Sequence, residues 1–267
     1  MDEIYLPVEK VPVEDITIPG LEHPSGLSHA IVVTKPDGVR RVVQYCSEIY
    51  YLVENSSIIP VFEKEISRFY QVEKKIRIDR WSRFFIDFIL KDKLVSIQDK
   101  DPVFPRIRLI NSYDGSIKYH FQMGFWRLIC SNGLMVPAGT IKEFKSMHTP
   151  KIGKETSFEE VLAMTSEFLA ESNEAAEIYY ELQDQPADDW MMRIEEVVEE
   201  TAFPVSLQEN VTERMGHELD LIPGAQPTDW LVYNAFNYQL NHNEDLKAKQ
   251  SKKDGMDQEV LAYLLKY

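Results

Sequence analysis

The 267-residue chain is short of several things, and each shortage excludes a class of function. It has two cysteines, Cys46 and Cys130, each in an apolar, strand-like stretch and neither with a second cysteine at ligand spacing. A disulfide framework is therefore not expected, and two thiols fall short of the roughly four ligands of a structural zinc site. His23, His29, His120, His148, His217 and His242 are scattered without metal-binding spacing. No apolar run approaches the roughly 20 residues of a membrane span. The first residues, Met1-Asp2-Glu3-Ile4-Tyr5, are acidic and lack the basic and apolar regions of a secretory leader, so a cytoplasmic location is expected.

Catalytic signatures are equally scarce. There is no Gly-x-Ser-x-Gly elbow and no phosphate-binding loop. Cys130 and His120, if on one continuous strand, would stand about 33 Å apart. Asp114 followed by Glu143-Phe144-Lys145 mimics the Asp…Glu-x-Lys pattern of metal-dependent nucleases, in which carboxylates hold the ion. Asp114 is better accounted for as a turn residue, and Glu143 and Lys145 as solvated charges. No catalytic residue, metal or cofactor is expected.

What is abundant is acid, and it is unevenly placed. Residues 1–150 carry 20 Lys/Arg against 19 Asp/Glu, whereas residues 151–267 carry 9 against 25. Within the first part, residues 68–127 hold 13 basic against 7 acidic side chains. Such asymmetry points to a charged partner or to self-association, or more plainly to a solvated acidic helical surface.

The patterning predicts an α+β fold: an antiparallel β-rich N-terminal part with hairpins and a mainly helical, acidic C-terminal part. Residues 1–27, rich in Pro and Glu, read as an extended arm with little regular structure. Residues 28–150 read as the β-rich core and 151–267 as the acidic helical region. Residues 29–34 and 39–45 are β-rich, and Lys35-Pro36-Asp37-Gly38 between them is a turn, with proline presetting φ and glycine accepting the left-handed conformation. Asn55-Ser56-Ser57 offers an N-cap to a helix reaching about Tyr70, its apolar face Ile58, Ile59, Phe62, Ile66 and Phe69. Strands follow from Val72 to Leu90. In 105–136, Ile107 and Leu109 alternate with Arg106 and Arg108, and Ser112-Tyr113-Asp114-Gly115 turns the chain. Tyr119, Phe121, Met123 and Phe125 then oppose Lys118, His120, Gln122 and Trp126. Ser131-Asn132-Gly133 makes a further tight turn. Helices are predicted from capping boxes at Thr156 and Ser157, from Asp188 to Glu200, and near 207–217, 228–242 and 257–266, the last capped by Asp257.

The 105–136 block and the segment Thr228-Asp229-Trp230-Leu231-Val232-Tyr233-Asn234-Ala235-Phe236 resemble a family of phage and plasmid proteins known as domain of unknown function 932. The features that carry the resemblance are Asn111-Ser112-Tyr113-Asp114-Gly115, Phe125-Trp126-Arg127-Leu128, Cys130-Ser131-Asn132-Gly133 and the Trp-to-Asn-Ala helix. The resemblance implies a mobile-element origin and a bacterial cytoplasm, and it carries no catalytic residues over. The strand-hairpin-helix order is also similar, in topology alone, to Rad52-like annealing proteins.

Two readings of function follow. Basic residues Arg68, Lys74, Lys75, Arg77, Arg80, Arg83, Arg106, Arg108, Lys118 and Arg127 are interleaved with Tyr70, Trp81, Phe84, Tyr113, Tyr119 and Trp126. A positive groove with aromatic platforms holds single-stranded nucleic acid. The nominated contacts are Arg77, Arg80, Arg83, Arg106, Arg108, Lys118, Tyr119, Trp126 and Arg127, in a non-enzymatic protein of DNA metabolism, with annealing as a further role open to it. The plainer alternative for these residues is a solvated sheet side with its aromatics in the core. The rival function is an interaction or host-interference protein that meets a protein partner, or another copy of itself, through its acidic helices. Trp230 shares a helical face with Tyr233, Asn234 and Asn237 and could stack a base. In that cation-poor region burial of the ring, with its N–H on an oxygen, is the expected role.

Overall fold

Lys35–Gly38 turns as its residues require. Gly38 takes φ 81°, its N–H reaches the Lys35 carbonyl at 2.9 Å, and the Asp37 carboxylate accepts from the Val39 N–H at 2.9 Å. The turn joins β2 (His29–Thr34) to β3 (Arg40–Cys46). The computed structural model describes residues 3–16, 26–98, 101–128, 132–135, 144–146, 158–243, 245, 246, 248 and 250–266. Cys130, Glu143, the turn at Ser131 and the capping boxes at Thr156 and Ser157 lie outside the described residues.

The fold is α+β. One antiparallel sheet has the order β1-β2-β3, with β1 at Val8–Pro12. The expectation of an N-terminal arm with little regular structure is corrected here: Val8 lies opposite Val33 and Pro12 opposite His29. Proline is tolerated because β1 is an edge strand and Pro12 is its last residue, where no onward ladder donor is required. The second sheet has the order β10-β8-β7-β5-β4, built from β4 (Val72–Asp79), β5 (Arg83–Leu90), β7 (Asp101–Ser112), β8 (Tyr119–Arg127) and β10 (Phe144–Ser146). β6 (Val95–Gln98) adds to β7 and β9 (Asn132–Met135) to β8. Helices α1 (Asn55–Ile66), α2 (Phe158–Ala170), α3 (Ser172–Asp184), α4 (Trp190–Glu200), α5 (Gln208–Leu221), α6 (Asp229–His242) and α7 (Gln250–Leu264) complete the described chain. None is long and apolar enough to cross a membrane.

Contacts divide the chain into two units. The first holds residues 1–89, 107–122 and 143–165; the second holds 90–106, 123–142 and 166–267. Strands β5, β7 and β8 each begin in one unit and end in the other.

In the first unit the Asn111–Gly115 motif accounts for the start of α1. Asn111 Nδ2 donates to the Val53 carbonyl at 2.8 Å and to Asn55 Oδ1 at 2.9 Å, and the Asn55 N–H donates to Tyr113 Oη at 3.0 Å. Asn55 therefore does not cap the helix with its side chain as expected; Glu54 holds the N-cap position, and α1 ends at Ile66, before Tyr70. Gly115 has φ 65°, and a Cβ there would meet Gln44 at 2.6 Å. Phe62, fully buried on α1, packs at 4.9 Å from Phe88 and 4.8 Å from Phe121.

In the second unit α6 is buried at every residue from Asp229 to Asn237, so it lacks a solvent stripe. Tyr179 of α3 lies between Trp230 (5.3 Å) and Tyr233 (6.1 Å). Asp257, expected as the cap of a helix beginning there, lies inside α7 and is buried. Its carboxylate turns inward to accept from Tyr233 Oη at 3.0 Å and Asn237 Nδ2 at 2.8 Å.

Truncating Phe62 to alanine should lower unfolding free energy by about 3–5 kcal/mol. Urea titration would show the midpoint fall at unchanged slope. A loss under about 1 kcal/mol would mean the α1–sheet contact is not a packed core.

Candidate functional site

The nine nominated nucleic-acid contacts do not form one face. Arg106, Arg108, Tyr119, Trp126 and Arg127 are buried. Both faces of β8 are covered from Tyr119 to Arg127, so the expected alternation of core and solvent does not hold there. Arg77, Arg80 and Lys118 are exposed, and Arg83 is half-buried.

The cause is internal neutralisation. Arg108 meets Asp87 of β5 in a bidentate pair at 2.7 and 3.0 Å. Arg83 Nε donates to Asp114 at 2.8 Å. Burial works against the Asp114 charge, but hydrogen bonds from Ser116 and Arg83 outweigh it and hold the carboxyl below its usual range. That carboxylate also accepts from Ser82 Oγ at 3.1 Å, so its partners are those of a turn anchor. Lys145, its proposed companion, pairs through its backbone with His120.

Arg127 and its partners are the most deeply enclosed. Its Nε lies 2.8 Å from both oxygens of Asp101, and its Nη1 donates to Glu218. All three side chains have zero exposure. Arg214 Nε reaches the other Glu218 oxygen at 2.8 Å, and its guanidinium lies 3.8 Å above the Tyr238 ring. The Trp230 indole N–H donates to Asp101 Oδ2 at 2.9 Å, which gives Trp230 the structural role expected of it. The partners of Arg108 and Arg127 lie 21, 26 and 91 residues away in sequence. No local spacing could have revealed them.

Asp257 is a strongly perturbed carboxyl. Burial pushes it up to about 7, against hydrogen bonds from Asn237 and Tyr233 and the positive potential of Arg106, with Asp254 pushing it up further. Among the described residues no group of three or more His, Cys, Asp or Glu is arranged to hold a metal ion.

Two surface features remain. One is the two-residue turn between β4 and β5, closed by the Ser82 N–H on the Asp79 carbonyl at 3.2 Å. Arg80 and Trp81 both have positive φ, 54° and 62°. Two-residue hairpins of this hand strongly select Asn-Gly, and a bulky residue in the left-handed region costs about 1–3 kcal/mol. The other is a run of carboxylates: Glu171, Glu174, Glu177, Glu181 and Asp184 are all exposed along α3 and its N-cap. Steps of three and four place them on one helical face. None of the five takes part in an ion pair among the described residues.

These features define an antiparallel α+β protein with its arginine-carboxylate pairs internal and an acidic helical exterior. The chain belongs to the family described as domain of unknown function (DUF932), whose model matches residues 42–261. No curated protein and no solved structure matches it.

Arg127→Ala should cost about 3–5 kcal/mol, because it leaves Asp101 and Glu218 buried without their shared cation. A melt indistinguishable from the parent would show the network to be dispensable. Asp257 has a folded-state pKa above its unfolded value. Its stabilising contribution is therefore full below about pH 4 and is lost as pH rises towards 7. Asp257→Asn should reduce the fall in stability between pH 5 and pH 8 seen in the parent; equal falls in both proteins would place the titration elsewhere.

Proposed function

We propose that this protein acts without catalysis, as an interaction protein whose acidic helical face receives a basic surface of another protein. The observation that carries the reading is the α3 ridge of Glu171, Glu174, Glu177, Glu181 and Asp184. Like charges three and four apart on a helix are destabilising by about 0.2–0.5 kcal/mol per pair. Among the described residues nothing in the packing of α3 uses these carboxylates: its buried side is Ala175, Ala176, Tyr179 and Leu182. A partner bearing lysines and arginines would relieve the repulsion and be steered to the face by its field. The setting we infer is that of a mobile-element protein in a bacterial cytoplasm, which is what the resemblance of its sequence motifs implies. Nucleic-acid binding over the whole basic band is not favoured, because Arg106, Arg108 and Arg127 are engaged inside.

Reversing Glu174, Glu177 and Glu181 to lysine tests the reading. The variant should melt at or above the parent and fail to retain proteins that the parent captures from a bacterial lysate, and raised salt should release those same proteins from the parent. Identical captured sets for the two proteins would remove the acidic face as the binding surface.

A further inference from the structure

We propose that the Arg80–Trp81 hairpin tip is a contact element for single-stranded nucleic acid, with Trp81 as the stacking platform and Arg80, Arg77 and Lys118 as phosphate-seeking cations. The inference is independent of the acidic-face reading, since every residue it uses belongs to the first unit.

The base of the hairpin is rigid. The Tyr113 N–H donates to the Ser82 carbonyl at 2.7 Å, Ser82 Oγ donates to Asp114 at 3.1 Å, and Arg83 joins Asp114 at 2.8 Å and Asp79 at 3.3 Å. These bonds fix the turn against the Ser112–Gly115 turn and use the side chains that flank it, not the two at its apex. A turn needed only to reverse the chain would be served by asparagine and glycine, which accept positive φ readily. Here both apex positions carry large side chains in that region.

Neither apex side chain is fully buried. The Arg80 side chain is 72% exposed, and its one ion pair among the described residues is a 3.9 Å approach to the half-exposed Asp79. Trp81 is half-buried, and no ring or cation is stacked on it among the described residues. Arg77 is exposed and lies 4.2 Å over the Phe85 ring, which braces its guanidinium on the same hairpin. Lys118 is exposed just after the Ser112–Gly115 turn to which the hairpin is tied. β4 is an edge strand, where Lys75 and Arg77 also discourage sheet extension. That role accounts for charge along the strand and does not account for an aromatic at its end. One accessible ring flanked by cations matches a ligand offering flat faces and regularly spaced negative charge, which is an unpaired nucleic-acid strand. A duplex hides its base faces and would engage the cations alone.

The test is anisotropy of a labelled thymidine oligonucleotide at low salt, using the full chain. Trp81→Asn should weaken binding about five- to a hundredfold, as expected for loss of one stacked base, and Trp81→Phe should retain most of it. Arg80→Asn should weaken binding and lower the salt dependence by about 0.7, the share of one phosphate contact on a single strand. Because asparagine suits the left-handed region, Arg80→Asn should also melt at or above the parent. A gain in stability with a loss of binding is an outcome that a merely structural turn cannot produce. No binding by the parent, parent-like binding by Trp81→Asn, or equal affinity for a duplex of the same length would each overturn the proposal. So would Arg80→Asn changing oligomeric state while leaving oligonucleotide binding intact.

Discussion

Asp101 is the constraint on which the second unit depends. Its carboxylate accepts from Nε of Arg127 and from the indole N–H of Trp230, with no exposure to water. Three segments distant in sequence are thereby fixed: the start of β7, the end of β8 and the first turn of α6. Glu218 of α5 takes the remaining side of Arg127 and passes the chain of charges to Arg214. Two carboxylates and two guanidiniums balance, so the network is neutral as a whole. Replacing such a set by apolar side chains is often harmless to stability, whereas removing one member is not. The network is therefore better understood as fixing one arrangement of strands and helices than as a net source of folding energy. Asp87 with Arg108 repeats the device on a smaller scale in the first unit.

The surface charge is what remains after this pairing. Arg108 and Arg127 of the sheet are drawn inward to meet acids, so part of the basic excess that residues 68–127 show in sequence does not reach solvent. In the second unit the two arginines of the helices are engaged as well: Arg193 is held by Asp229 at 2.7 Å and Arg214 by Glu218. The carboxylates left over lie outside, on α3 and its neighbours. A strongly acidic exterior is thus the complement of an interior that has used the available guanidinium.

Local rules were legible in the residues and distant ones were not. Gly38 and Gly115 mark the two hairpins because glycine accepts their positive φ values without strain, and at Gly115 a Cβ would also press on the end of the Gln44 side chain. Helix periodicity found α4, α5 and α6 to within a few residues. β1 was hidden because proline and glutamate suggest an arm, and its partner β2 lies about 20 residues on. Asp257 looked like a cap because an acid before an apolar run usually is one; its actual partners, Tyr233 and Asn237, are on another helix. The alternation of arginine with isoleucine and leucine in β7 suggested a solvated side, which is the usual meaning of such a pattern. Nothing within a strand's length shows that Asp87 of β5 will meet Arg108.

Agreement among levels is what lets a sequence specify one structure, and natural proteins depart from it chiefly where they function. Most apparent departures here dissolve on inspection of partners: buried Arg127 has Asp101, buried Asn111 has Val53 and Asn55, and Pro12 has an edge. Two do not. Arg80 and Trp81 occupy backbone conformations that disfavour them, and the α3 carboxylates repel one another without a cation in reach among the described residues. Both lie at the surface, and both could be relieved by substitution. A feature that lowers stability, is cheap to remove and lies at the surface is poorly explained by folding. It is explained by something the surface meets, which is why these two places, and not the buried polar network, are where the function of this chain is sought.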